Sequence, residues 1–367
     1  MGPLAGIRIL EVGGIGPNPF AGMLLADMGA DVLRLDRGGP GTGIPVSGAS
    51  DPTLRGRQAI EVDLKSDVGR DAALALAERA DALIEGFRPG VMERLGLGPD
   101  DLLARNPRLV YGRMTGYGQD GPMAGVAGHD INYISLAGVL GASQRVGELP
   151  MFAVNTVGDY GGGAMLLAFG VVCALLEARV SGRGQVVDAA MVDGAALLTT
   201  PLHGLHAAGL WSEAPGTNLL DSGAHFYEVY RAGDGRFVAV GALEPQFYAR
   251  LLSLLGIPAD EMPQWDRERW PEFKRRLAAV FATRTAASWG ELLEGEDACV
   301  TVVRGPFEAH EHPQMAARGT FVQLGGVVQP GPAPRFSRTV AEATPAQDDV
   351  AAAVARWGLD AAALGLL

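Results

Sequence analysis

In the first third of the chain, short apolar runs alternate with longer stretches whose apolar positions recur at helical spacing. Ile7 to Val12 predicts a strand, Gly13 to Pro19 a Gly/Pro loop, and Phe20 to Met28 a helix that Gly29 stops. Asp31 to Asp36 and Ala59 to Leu64 read as further strands, Ala82 to Ile84 and Leu109 to Tyr111 as short apolar runs of strand length, and Asp67 to Arg79 as an Ala/Leu-rich helix. This alternation predicts βαβ units and a parallel sheet.

The middle of the chain reads differently. Asp130 to Gly141 and Asp159 to Arg179 predict two helices, and Gln185 to Ala190 a strand. From about residue 200 the pattern turns into a smaller α+β region. There His225 to Arg231 and Arg236 to Gly241 flank Ala232-Gly233-Asp234-Gly235, a hairpin signal. Amphipathic helices near 245–255 and 271–283 follow, then strands at Ala298 to Val303 and Thr320 to Leu324. Gln329 to Pro334 reads as a linker before a last Ala-rich helix.

Composition adds little to the fold but narrows the function. Apolar residues at 48% and charged residues at 20% are those of a globular protein. A net charge of -12 argues against a general nucleic-acid binder, while leaving room for an anionic small ligand held by a few arginines. Cys173 and Cys299 lie in no CxxC pair and read as buried thiols of a reducing cytosol, which gives a cytoplasmic protein. The uncharged stretch Tyr160 to Leu176 falls short of the roughly 20 residues of a membrane span, so it is expected as a buried helix and no membrane partner is expected. His203 with His206, and His310 with His312, lack HExxH or CxxC company, so no metal site is expected.

The loop after the first strand invites a dinucleotide reading, but a GxGxxG fingerprint needs glycine where Pro19 stands. Asp36 ends the second strand between Arg34 and Arg37, a setting that suits phosphate better than a ribose diol. His129, ahead of a helix, is a cap or a general base; Asp159 is a helix N-terminal acid or a catalytic carboxyl; Glu244, ahead of Pro245, is a helix-start acid or a partner for a base.

Several blocks then match in order. Gly13 to Arg37, Val62-Asp63-Leu64-Lys65, Gly86 to Gly96 (GFRPGVMERLG) and Arg113 to Gly121 (RMTGYGQDG) resemble the class III CoA-transferase and α-methylacyl-CoA racemase superfamily, with similarity running to about residue 330. Asp159, in Val157 to Gly163, matches the nucleophile of the transferases and does not discriminate between the branches. Gly128 to Tyr133 (GHDINY) resembles the racemase signature, whose histidine is a base that transferases as a group lack.

The resemblance implies an α/β fold with a large Rossmann-like domain (1–200), a small α+β domain (201–328) and a C-terminal segment (329–367) returning to the large domain, in an interlocked homodimer. It implies interconversion of (2R)- and (2S)-2-methylacyl-CoA, with His129, Asp159 and Glu244 as catalytic residues and Glu244 supplied by the partner. Arg37, Arg94 and Arg88 would meet the CoA phosphates. Val62, Asp63, Leu64 and Lys65, with Gly128, Asp130, Ile131, Asn132 and Tyr133, would contact the acyl-CoA, and backbone amides at the start of the Asp130 helix would meet the enolate oxygen. No metal or redox cofactor is implied; coenzyme A arrives as part of the substrate. A CoA-transferase with Asp159 as nucleophile is the alternative, and a non-catalytic CoA-binding scaffold is a third.

Overall fold

A computed structural model describes residues 2–37 and 51–367. The chain divides into two compact units. The first joins 1–137, 153–198 and 313–367; the second joins 138–152 and 199–312.

The first unit is built on six parallel strands: β1 (Arg8–Val12), β2 (Asp31–Asp36), β3 (Gln58–Glu61), β4 (Ala82–Glu85), β5 (Val110–Thr115) and β6 (Val186–Ala190). Their spatial order is β3-β2-β1-β4-β5-β6. Residues on alternate sides of the central strands β1, β2, β4 and β5 go to different cores, and both sides are largely apolar, as an enclosed parallel sheet requires. Leu10, Leu33, Leu83 and Tyr111 pack with helix α2 (Asp67–Ala77) and with Leu102 of α4 (Pro99–Arg105). Ile9, Val32, Ile84 and Met114 pack with α1 (Pro17–Asp27) and α7 (Met165–Ser181). A short α3 (Val91–Arg94) follows β4. The C-terminal helix α14 (Val350–Arg356) joins the first of these cores, with the Trp357 indole donating to Asp31 at 3.1 Å.

The sheet order reverses direction at β1: β2 and β3 lie to one side of it and β4 to the other. A crevice therefore opens at the carboxyl ends of β1 and β4, where the outgoing loops part. Those loops carry Gly13 to Gly16 and Gly86 to Gly90, and the segment after β5 leads to His129.

Several expectations need correction. The helix expected over 130–141 is two: α5 (Asp130–Leu136) and α6 (Val139–Ala142), parted by Gly138 at φ +83°. The helix expected from Asp159 begins instead as a π-helical run, Thr156–Ala164, that continues as α7. The expected linker starts as strand β11 (Val327–Pro330), which pairs with β10 (Phe321–Leu324) across a Gly325-Gly326 turn.

The helical run Thr156–Ser181 is long and apolar enough to cross a membrane, and it is not the buried helix expected. Leu167, Val171, Ala174 and Leu175 root it on the sheet, while Met165, Phe169, Leu176 and Val180 stay exposed. Cys173 on this helix and Cys299 are free and exposed, where buried thiols were expected.

The second unit holds an antiparallel sheet of β7 (Tyr227–Arg231), β8 (Phe237–Gly241) and β9 (Val300–Val302). It also contains α9 (Thr200–Ala207), α10 (Pro245–Leu255), α11 (Trp270–Phe281) and α12 (Ala286–Leu293). Its core is aromatic: Phe226, Tyr230, Tyr248, Phe273, Phe281 and Trp289. Fully buried His225 bonds the Tyr248 hydroxyl at 2.6 Å, and that hydroxyl donates to the Met262 carbonyl at 2.9 Å.

Candidate active site

His129 is the residue before α5, in extended backbone conformation, with its side chain exposed. Its own N–H donates to Asn132 Oδ1 at 3.1 Å. The Tyr133 hydroxyl donates to the carbonyl of Gly128, and the Tyr133 ring meets Tyr117 edge-on at 5.0 Å. Asn132 and Tyr133 thus fasten the backbone on both sides of the imidazole, so their polar atoms serve to hold His129. Tyr133 is buried, and burial pushes its hydroxyl up to about 12.

Asp159 stands in the π-helical run, half-buried. Asn155 donates to its Oδ2 at 3.0 Å, and the same oxygen lies beside Gly16 at the head of α1. Close approach of the run to α8 (Met191–Leu198) depends on two glycines: a side chain on Gly162 or Gly194 would strike the other's backbone. Burial raises the proton affinity of Asp159 above the usual carboxylate range; the Asn155 hydrogen bond opposes this, the Asp130 charge adds to it, and His129 opposes it.

Asp130 joins these two groups. It follows His129 in the chain, and its Oδ2 accepts from the N–H of Gly158 at 2.6 Å and of Asp159 at 2.8 Å. One oxygen of its carboxylate is therefore engaged by backbone, and the amides of Asp130 and Ile131, first in their helix, lie where no intrahelical acceptor exists. Ile131 beside it is exposed.

The arginines sort into two groups. Arg34, read from the sequence with Arg37 as suited to phosphate, is buried and occupied: it pairs with Glu11, bridges Asp36 through two 2.8 Å bonds and reaches the Gly14 carbonyl at 3.2 Å. Arg37, Arg88 and Arg94 are exposed, and none forms an ion pair with a described residue. Arg37 lines a cavity of about 340 Å³ at the carboxyl ends of β2 and β3, with Glu61, Val62 and Asp63. Asp63 accepts from the Lys65 N–H at 3.0 Å, Lys65 is exposed, and Leu64 packs against the core.

Glu244 belongs to the second unit, where it precedes α10 as an exposed residue whose side chain makes no capping bond. The structure thus brings His129 and Asp159 together through Asp130 within one unit, and Glu244 lies in the other. No group of three or more metal-binding side chains occurs among the described residues.

Sequence reasoning missed one ionic cluster. Glu85, fully buried at the end of β4, accepts from the Phe87 N–H at 2.7 Å and from Arg113 at 3.1 Å. Arg113 also pairs with Glu93 of α3 at 2.8 Å. Burial pushes Glu85 up to about 7. The cluster ties together the loop that carries Arg88 and the helix that carries Arg94. Its signal was a single charge in each of two otherwise uncharged strands, ALIE and VYGRMT.

Comparison with known proteins is consistent with this picture. The model of CoA-transferase family III matches residues 4–349. The chain is 46% identical to mouse α-methylacyl-CoA racemase over 340 residues, 92% of this chain and 87% of that one. It is 44% identical to the human α-methylacyl-CoA racemase, with the same coverage. Among solved structures, a Mycobacterium tuberculosis protein, Rv3272, superimposes with a TM-score of 0.76 at 27% identity, covering 95% of this chain and 97% of that one.

Proposed function

The chain belongs to CoA-transferase family III, and we propose that within it the protein is an acyl-CoA racemase that interconverts (2R)- and (2S)-2-methylacyl-CoA. One observation carries the reading: a histidine and a carboxyl of raised proton affinity are tied to each other through Asp130. A thioester acidifies its α-hydrogen, yet the enolate remains costly, and inversion needs a base on one face and an acid on the other. Neutral His129 removes the proton while Asp159, as a neutral acid, returns one to the opposite face; in reverse the carboxylate is the base and the imidazolium the acid. The raised proton affinity of Asp159 favours its neutral form and so matches it to the imidazole. The first-turn amides of α5 suit the enolate oxygen.

The rest of the ligand fits the free cations. The order of the parallel strands supports a Rossmann-like reading of the first unit, in which ligands lie at the carboxyl ends of the strands. We assign Arg37, Arg88 and Arg94 to the CoA phosphates, and Val62, Asp63, Leu64 and Lys65 to contacts with the acyl-CoA, Val62 and Asp63 from the walls of the cavity beside Arg37. Gly128, Asp130, Ile131, Asn132 and Tyr133 form the segment over the thioester. The reaction calls for no metal or redox group, because the thioester itself supplies the acidity. We read the exposed apolar face of α7 as an interface with a second copy rather than a membrane span, since the opposite face is rooted in the sheet. In such an interlocked dimer Glu244 comes to the His129 site from the partner.

The test is α-deuterium incorporation from D2O into each enantiomer of a 2-methylacyl-CoA, with no carboxylate acceptor present. Exchange and inversion from both enantiomers are expected. CoA transfer to an added carboxylate without exchange would instead make Asp159 the nucleophile of a transferase.

A further inference from the structure

We propose that Asp130 is a positioning residue for the proton-transfer pair: its buried carboxylate pins the start of the Asp159 helix and holds a fixed negative charge beside the Asp159 carboxyl. The inference rests on the racemase reading.

Asp130 is 4% exposed, and one of its oxygens receives two amides from residues 28 and 29 positions away. Those amides belong to the opening of the π-helical run, where backbone donors have no partner inside the helix. One short side chain therefore spans from the residue after His129 to the backbone of Asp159 itself. The fit is close: a Cβ on Gly158 would lie 2.6 Å from the same oxygen. Any slip of this contact moves the acid relative to the base.

Pinning alone does not require an acid. Asn and Ser accept from helix-start amides as well as Asp does. Here the second oxygen, Oδ1, is buried and has no hydrogen-bond partner among the described residues. Keeping a carboxylate in that setting costs free energy that an amide side chain would not demand. What the carboxylate adds is charge. His129, Asp130 and Tyr133, all from α5 and its cap, are the titratable groups among the described residues that interact with Asp159; Gly16 at the head of α1 lies beside its carboxyl, and Phe20 of α1 meets Tyr160 in a tilted contact at 4.6 Å. Asp130 opposes ionisation of Asp159 and His129 favours it. Through Asp130 the Asp159 carboxyl leans toward its neutral, proton-donating form.

The experiment compares full-length wild type, Asp130→Asn, Asp130→Ala and Gly158→Ala in α-deuterium exchange from both enantiomers, across pH. Asp130→Asn keeps an oxygen acceptor and loses the charge. Its KM should stay near wild type while the acid limb of its kcat/KM profile moves to lower pH. Asp130→Ala loses the pin as well, and kcat should fall ~10²-fold, the scale of a misplacement near 1 Å. Gly158→Ala crowds the same oxygen, so it should lower kcat with the acid limb in place, which tests the pin even if an Asp130 variant fails to fold. An acid limb that stays put in Asp130→Asn, or wild-type kcat in Gly158→Ala, overturns the proposal. Absence of exchange in the wild type overturns the racemase reading instead.

Discussion

Two histidines, each set among aromatic rings, divide the labour of the molecule differently. In the second unit His225 is sealed from water, ringed by Phe226, Tyr248 and Phe273, and burial drives it down to about 3, with Lys274 adding to the effect. In the first unit the pair Tyr117 and Tyr133 grips only the backbone around His129 and leaves the imidazole exposed. The aromatic residues are spent on the ring in one region and on its support in the other. A proton carrier has to be fixed through its main chain while its ring stays open to solvent and substrate; a structural histidine is fixed through the ring and forfeits its titration.

The sharpest way to break this comparison is to remove each ring. His129→Ala should lower α-proton exchange from at least one enantiomer by ~10² to 10⁴-fold, the range of general acid–base catalysis, and shift the urea midpoint hardly at all. Wild-type exchange rates would remove His129 from the chemistry. His225→Ala should do the opposite. Truncating a buried aromatic-sized side chain costs about 3 kcal/mol of stability, with exchange by the folded enzyme retained.

His225 also carries a pH signature. Its folded-state value lies below its ordinary 6.5, so the unfolded chain binds the proton first. The stability it contributes is complete above about pH 6.5 and is lost as pH falls from there toward about 3. Chemical denaturation of wild type and His225→Ala through that window should give slopes that differ by this one proton; identical slopes would mean that His225 titrates normally.

The same contrast between occupied and open side chains holds for the arginines. Arg37→Ala should weaken acyl-CoA binding by ~1–3 kcal/mol, as loss of a charge-assisted hydrogen bond does, and leave short thioesters without the nucleotide nearly untouched. Equal losses on both substrates would make Arg37 structural, as Arg34 is. The smallest effect asks whether the second unit contributes chemistry at all. Chains with His129→Ala and Glu244→Ala, refolded together, should recover about half of wild-type activity per hybrid dimer, because one site then holds both lesions and the other none. An inactive mixture containing hybrids would keep Glu244 out of a shared site.

Much of this was legible in the residues. The strand–helix alternation forecast the parallel sheet because a strand covered on both faces reads as a continuous apolar run, as in Ala82 to Ile84. His129 and Asp159 stood out through their setting in GHDINY and in a glycine-rich helix start. The role of Asp130 was not legible, since its partners are two backbone amides almost thirty residues away, and amides leave no mark in a sequence. Arg34 misled for a related reason: its neighbour Asp36 is visible, whereas Glu11 reaches it only once β1 and β2 lie side by side. The π-helical run is equally silent, because its residues differ in no simple way from those of an ordinary helix.

The attachment of the C-terminal segment has a consequence for how the chain is made. Trp357 is 1% exposed, its neighbour Arg356 pairs with Asp31, and Gln347 bridges to Gln58 on the edge strand. A ribosome releases the strands β1 to β5 before the second unit and these anchors only after it. The apolar face over β2 and β3 therefore lacks the Trp357 part of its cover while the second unit is synthesised. Sequence-distant closure of this kind is slow, and the interval is one in which a nascent chain invites chaperones or self-association. The segment from Gln347 to Trp357 acts as the latch on a domain begun by β1 and β2.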